Sequence, residues 1–311
     1  MDEATLILIA GWVAAILRSA TPLLFVTLGE TLSQRVGIIN LGIEGEMLAG
    51  ACFGFAAAAT TGDPLLGLIA GGAAGVVLSM VHAGLCIGLG ANQFGSGLAV
   101  WMIGLGITSF YGRAFVGGQV DASGSLGGSW LGDSPVLAQL LDNLSWTALA
   151  AVLLVLLAGF LLYRTRTGLA WRTVGEAPEA ARAAGLSVPR IQVSGVLLGG
   201  FLAGVGGAVL SVDYTQTWAQ EMTKGRGLVA VGLVIVARWN PYLVLPTVLV
   251  FGGAEAAVTR LQAGGFVLSS HVLASLPYII ALLVVVGAYA WGRRGSGMPE
   301  GLKGVFAVRG S

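Results

Sequence analysis

Three stretches of this chain gather polar and ionisable residues in patterns that could do chemistry, each beside an apolar run. The first runs from Glu30 to Glu46 and holds Glu30, Glu44 and Glu46 with Arg35, Asn40, Gly37, Gly42 and Gly45. One reading is a solvated turn anchored by Arg35. The other is a re-entrant segment lining a cavity, because irregular polar backbone at membrane depth is tolerated only there. Asn40 and Glu44 then belong to a substrate pathway, with Glu44 organising the segment rather than acting as acid or base. The second stretch, Thr173 to Arg190, carries Pro178 where a helix would start, Glu179 in its first turn, Gly185 just past its end and Pro189 to stop it. A helix of about two turns is expected there, with Ala177, Ala180, Ala181 and Ala184 on one smooth face. That shape suits insertion into a partner's groove; a loop helix touching only its own protein is the alternative.

The third set is Asn92-Gln93 with Phe94 and Trp101, and, further on, Asp213-Tyr214 with Gln216-Thr217-Trp218. Amides and aromatics can pair with and stack on a polar ring-bearing solute, which makes Asn92, Gln93, Phe94 and Trp101 candidates for the substrate pathway. Aromatics at membrane ends also serve as interface anchors, the reading favoured for Trp218. His82 and Cys86 lie four apart on one helix face without a nearby carboxylate, so a satisfied core histidine is expected rather than a metal ligand. His82 and His271 are the only histidines, and neither a catalytic nor a metal-binding residue is assigned. No phosphate loop is present, since neither Lys224 nor Lys303 stands in a G-x-x-x-x-G-K context.

The elements that must position these residues follow from composition. The 311 residues are 56% hydrophobic and 10% charged, with 50 glycines and a mean hydropathy of +0.86; a soluble domain carries about a quarter charged residues. The net charge of +1 and the short basic clusters exclude a nucleic-acid-binding face. Cys52 and Cys86 lie in apolar runs and suggest no disulfide framework. The acidic start at Asp2-Glu3 is unlike a signal peptide, so the first apolar run is expected to stay as a membrane helix.

Apolar runs near 6–33, 44–60, 64–90, 93–115, 143–163, 191–212, 225–239, 241–262 and 270–291 predict an all-α polytopic membrane protein. It forms one transmembrane domain over 1–311, with about eight to ten crossing helices and some re-entrant or broken segments. Arg18 with Thr21-Pro22 is expected to break the first run into a surface helix and a crossing helix. The arginines of 164–190 and the basic tail 292–311 put both in the cytoplasm and leave 117–142, which lacks Lys and Arg, outside. The glycine-rich runs 64–90 and 191–212 lead into comparable polar segments in opposite directions, as an inverted repeat would; shared composition is the alternative.

Taken together, Gly29-Glu30 with Ser33 to Gly45, Asn92 to Leu98, Val174 to Gly185, and Gly225 to Pro241 resemble the membrane permease subunits of bacterial ABC importers for nucleosides and simple sugars. The resemblance spans most of the chain in order. It departs at Gln34, where the family often has an acidic residue before the arginine, which weakens any claim of a local ion pair with Arg35. It implies a half-channel in the bacterial cytoplasmic (inner) membrane, with the purine-nucleoside branch the nearer match. The implied partners are a second, related permease, ATP-binding cassettes that hold the ATP, an external solute-binding protein and a small-molecule substrate. This chain resembles the shorter of two permease types that occur together, which favours a heterodimer. Glu176, Pro178, Glu179, Ala181, Arg182 and Gly185 are then the ATPase-coupling residues, around a coupling helix near 177–185. No cofactor and no enzymatic activity are expected of this subunit. An ion-driven secondary carrier, with Glu255 or Glu221 as relay, and a permease for a ribose-like sugar or another small polar solute are the alternatives.

Overall fold

A computed structural model describes residues 2–122, 124–127, 134–264, 270–291 and 297–306. Arg293, Arg294 and Arg309 of the basic tail, and Ser123 of the polar segment, lie outside the described residues. The helices are α1 (Glu3–Arg35), α2 (Ile43–Thr61), α3 (Pro64–Ala83), α4 (Gln93–Tyr111), α5 (Pro135–Leu141), α6 (Trp146–Arg164) and α7 (Arg166–Glu176), followed by α8 (Pro178–Ala183), α9 (Val188–Ala208), α10 (Arg226–Val236), α11 (Pro241–Ala263), α12 (Ser270–Trp291) and α13 (Glu300–Phe306). Among the described residues, six helices are long and apolar enough to cross a membrane: α1, α3, α4, α6, α9 and α11. The 19-residue α2 and the 22-residue α12 run beside them, and every predicted apolar run contains a helix.

Local chemistry sets the boundaries. Proline takes the first helical position in α3, α8 and α11, where its missing N–H costs nothing. Asp63 caps α3 by accepting from Leu65 N at 2.8 Å, Asn92 caps α4 through Gly95 N at 3.0 Å, and Asn240 caps α11 through Tyr242 N at 3.1 Å. One expectation fails here. Arg18 and Pro22 do not divide the first run; α1 is a continuous 33-residue helix with Pro22 inside it. The proline sits where Ala20 packs on Gly252 and Pro22 on Gly206, and Thr21 Oγ1 donates to Leu17 O at 2.7 Å. Close packing on both sides holds the turn that proline would otherwise release.

At the centre stands α9, with α1, α2 and α3 around it. Its glycines take the contacts: Gly199 lies on Gly29 of α1, Gly204 on Gly71 of α3 and on Gly50 of α2, and Gly207 on Met47 of α2. A Cβ added at Gly71 would come within 2.6 Å of Ala208 Cβ and 2.8 Å of Gly50 O. In lipid the hydrophobic effect does not drive helices together, so this backbone-level approach supplies dispersion and Cα–H···O contacts instead.

The pairings also fix direction. α3 and α9 run antiparallel, since Gly71 meets Gly204 while Gly75 meets Gly200. Both end in a π-helical turn, Gly84–Gly88 and Val209–Tyr214. Their continuations differ: a short turn leads from the first into full-length α4, whereas residues 215–225 lead from the second into α10 of only 11 residues. The arginine-rich loop 164–190 lies at the end where α1 and α10 finish, with Gly175 against Arg35 and Gly37. Described tail residues lie there too, Gly301 against Gly175 and Gly297 against Arg238. The opposite end gathers residues 117–121, Trp218 and the α2–α3 turn.

Replacing Gly71 by leucine is expected to lower the unfolding midpoint by several degrees, through about 1–3 kcal/mol of overpacking. Gly106→Ala, at a position with nothing within 4 Å, should leave it within about 1 °C. Fluorescence-detected thermal unfolding in detergent checks the pair.

Candidate functional site

Between Arg35 and Ile43 the helix is lost, although all but Leu41 of these residues are buried. Gly37 turns the chain with φ +87°, and the carboxamide of Gln93 braces the turn: its Oε1 accepts from Ile39 N at 2.9 Å and its Nε2 donates to Gly37 O at 3.4 Å. His82 adds a bond between Nε2 and Ile39 O at 3.1 Å, while its Nδ1 meets Ser96 Oγ at 2.9 Å. With both ring nitrogens engaged, His82 is a satisfied core histidine.

Glu44, at the start of α2, lies on the first turn of α10. Its Oε1 accepts from Thr223 Oγ1 at 2.6 Å and Gly225 N at 2.8 Å, and its Oε2 accepts from Gly227 N at 2.6 Å. A carboxylate on the free N–H groups of a helix start satisfies donors that have no intrahelical partner and complements the helix dipole. Gly227 permits the approach, since a Cβ there would lie 2.6 Å from Glu44 Cα. On the other side of α10, Arg226 Nη2 pairs with Glu255 Oε1 of α11 at 2.9 Å, and Ser19 Oγ donates to Glu255 Oε2 at 2.8 Å. Glu255 is therefore held by a cation and a hydroxyl, not poised as a proton relay.

The depth of this node comes from arithmetic. α10 has 11 residues, about 17 Å at 1.5 Å each, and it finishes at the arginine-rich end, where Arg35 Nε donates to Trp239 O at 2.5 Å. For a helix along the membrane normal with that end at the boundary, its start lies near the middle of a ~30 Å hydrocarbon core. Residues 219–225 descend to that depth from Trp218, which packs against Gly112 at the far end of α4. Trp218 is 1% exposed, buried in the slot that the absent side chain of Gly112 leaves, and so is not an interface anchor. The descending segment and the residues just before it are strained: Gln216, Glu221 and Lys224 have φ of 56°, 55° and 48°, a region that costs a non-glycine residue roughly 1–2 kcal/mol. Lys224 and Glu221 are exposed, and Tyr278 Oη of α12 donates to Lys224 O at 2.7 Å.

The predicted pathway residues do not converge on one cavity. Asn40 and Glu44 are buried and hydrogen-bonded within the protein. Asn92 is exposed at the arginine-rich end, where it caps α4, and Gln93 braces the interrupted segment. Phe94 packs with Ile39, Val234, Trp239 and Leu302, and half-buried Trp101 lies along Gly45. A cavity of about 500 Å³ opens instead at the far end, lined in part by Gln119, Asp121, Gln216 and Thr217. Residue type and spacing did not single out Lys224 or Arg226; the signal was a lone Lys-Gly-Arg-Gly between apolar runs.

At the arginine-rich end α8 spans Pro178–Ala183, closed by Gly185 at φ +80°. Its alanines do not share one outer face. Ala181 is wholly buried against Val174, Leu186, Val188 and Ile191, and Ala177, Ala180, Ala184, Glu179 and Arg182 are exposed, the last two forming an ion pair. The helix has only two turns and must be pinned by one residue, so Ala181 faces the protein itself. Glu176 reaches Arg35 at 3.6 Å and accepts from Glu300 N at 3.3 Å. Gln34, the departure from the resembled pattern, donates to Glu30 Oε1 at 2.7 Å and accepts from Trp239 Nε1 at 2.5 Å.

Among known proteins, the chain is 39% identical over 258 residues to the putative glucose ABC transporter permease protein TsgC13 of Haloferax volcanii, covering 82% of this chain and 78% of that one. It is 31% identical over 289 residues to the guanosine ABC transporter permease protein NupQ of Bacillus subtilis, covering 88% and 91%. It is also 31% identical over 287 residues to the nucleoside ABC transporter permease protein NupC of Lactococcus lactis, covering 88% and 90%. No solved structure matches. A match to one family runs from residue 12 to residue 289, from α1 into α12 and through both interrupted segments, so the chain is a multi-pass membrane protein belonging to the branched-chain amino acid transport system / permease component family.

Proposed function

We propose that this chain is the permease subunit of an ATP-driven importer and forms half of the translocation pathway for a nucleoside, a purine nucleoside in the first instance. The observation that carries the reading is Lys224: an exposed ammonium at mid-depth, on strained backbone ahead of a half-length helix. A lysine at that level does not face lipid; it faces water. The centre of the chain, with α9 packed backbone to backbone, has no room for a solute, so the passage runs along the face of residues 219–226, shared with a second, related permease. Two relatives named for guanosine and nucleosides support the substrate class. A sugar is the second reading, favoured by the higher identity to the Haloferax protein.

ATP is held and hydrolysed by cassette subunits that dock on the exposed side of α8, at the cytoplasmic end, and an external binding protein delivers the solute. Ala177, Ala180, Ala184, Glu179 and Arg182 form the docking side, and Pro178 and Gly185 set its limits. Ala181 fastens α8 to the end of α7. From there Gly175 and Glu176 press on Gly37 and Arg35, and the interrupted segment leads to Glu44 and so to α10. Movement of α8 thus reaches the start of α10 through packed backbone and three hydrogen bonds. Asn40, Asn92, Gln93 and Phe94 support this linkage rather than contact the solute, and Trp101 flanks it.

Reconstitution with its cassette, second permease and binding protein tests the reading. ATP-dependent uptake of labelled guanosine, competed by adenosine and not by glucose or ribose, is the expected result; competition by glucose alone would install the sugar reading. Ala180→Trp is expected to abolish uptake with the unfolding midpoint unchanged, whereas Ala181→Trp lowers the midpoint. Retained uptake in Ala180→Trp would remove the docking role.

Glu44→Gln sets an amide N–H₂ against backbone donors, and loss of charge-assisted bonds worth roughly 1.5–3 kcal/mol should speed hydrogen exchange at residues 225–228 at least about tenfold. Unchanged exchange would mean that Glu44 does not hold α10.

A further inference from the structure

The interrupted segment encloses acidic groups that the linkage to α10 does not use. Glu30 of α1 and Glu46 of α2 are both 0% exposed, and Asn40 bridges them: its backbone N–H donates to Glu30 Oε1 at 3.1 Å and its Nδ2 to Glu46 Oε1 at 2.7 Å. With Gln34 Nε2 on Glu30 Oε1, all three donors fall on the two Oε1 atoms. Glu30 Oε2, Glu46 Oε2, Asn40 Oδ1 and Thr27 Oγ1, which lies one turn before Glu30 on α1, are buried without a hydrogen-bond partner.

Among the described residues no cationic side chain relieves the pair. Arg35 is spent on Glu176, Trp239 O and Tyr163 Oη, and Arg226 on Glu255. His82 of α3 is bonded to Ile39 O and Ser96, and Glu44 of α2 to the start of α10. α4 and α9 carry their titratable side chains, Tyr111 and Arg190, at their termini. Two carboxylates at membrane depth without a positive charge carry a desolvation penalty that hydrogen bonds alone do not offset.

We propose that Glu30, Asn40 and Glu46, with Thr27, form a buried site for one monovalent cation, a sodium ion or a proton. The donor set is oxygen only, which excludes soft metals, and unwound backbone beside a helix end is where membrane proteins hold such ions. The cation fastens α1 to α2 across the segment that leads to Glu44, so occupancy sets how firmly that segment is held.

The test is thermal unfolding of the assembled transporter in nanodiscs, in sodium, potassium or choline chloride at fixed ionic strength and at pH 5.5 to 8.5. For sodium, the midpoint rises by at least about 3 °C over choline, the rise vanishes in Glu30→Gln and Glu46→Gln, and Thr27→Val raises the half-effect concentration at least threefold. For a proton, sodium has no effect, the midpoint falls toward pH 8.5, and the Gln variants flatten that fall while His82→Gln does not. A wild-type midpoint indifferent to both, or a dependence unchanged in both Gln variants, overturns the site. Should the Gln variants fail to fold, one saturable radiolabelled sodium per chain supports the sodium form. Without such binding, a pH dependence that Glu46→Asp leaves unshifted overturns the site.

Discussion

Close approach of backbones at α9 is the constraint on which the rest depends. A helix that spans lipid gains nothing from burying leucine against leucine, and the stabilisation left to it is dispersion at short range. α9 meets this requirement on three sides at once, through Gly199 toward α1, Gly204 toward α2 and α3, and Gly207 toward α2. Any side chain at these positions would have to displace main chain, which cannot yield as a flexible side chain does. The central four helices therefore form a unit of fixed geometry, and α8, α10 and residues 215–225 lie at its periphery.

That rigidity explains why interrupted backbone is tolerated. The segment 36–42 and the loop 219–225 both leave main-chain groups without helical partners at depth, a costly arrangement in hydrocarbon. The protein covers much of the cost with side chains. Gln93 and His82 serve residues 37–39, Glu44 serves the amides of Gly225 and Gly227, and Arg226 with Glu255 closes the other side of α10. Each bond joins a helix to another helix or to interrupted backbone, so each is also a mechanical connection. A strained loop with two non-glycine residues at positive φ, Glu221 and Lys224, is held only because its lower end is fastened this way.

Much of the architecture was legible in the sequence because hydropathy is a collective signal. Nine apolar runs became helices or parts of helices, and the short helix at Pro178 appeared with its proline and glycine limits. What failed depended on the identity of a neighbour. Pro22 did not break α1 because Gly206 and Gly252 let partners press against it; Trp218 was not an anchor because Gly112, a hundred residues earlier, leaves a slot. Asn92 and Gln93 looked like solute ligands by type, yet one caps a helix and the other braces a turn, and residue type does not distinguish these uses. Ala181 was assigned to an outer face from spacing alone, whereas a two-turn helix must commit one residue inward.

Lys224 carries the functional argument because its position is improbable on energetic grounds. A charged side chain on the lipid face at mid-depth is disfavoured by several kcal/mol, and its backbone adds the cost of a left-handed conformation. Among the described residues the hydrogen bonds at Lys224 are made by its main chain, the N–H donating to Glu221 O at 3.0 Å and the carbonyl accepting from Tyr278 Oη. A structure that tolerates both is organised around something at that level, and in the proposed reading water beside a second permease removes the larger of the two. The same reasoning separates Lys224 from Arg226, two residues away, whose charge is already answered by Glu255. In the proposed reading Arg226 fixes the start of the half-helix, and Lys224 faces what passes it.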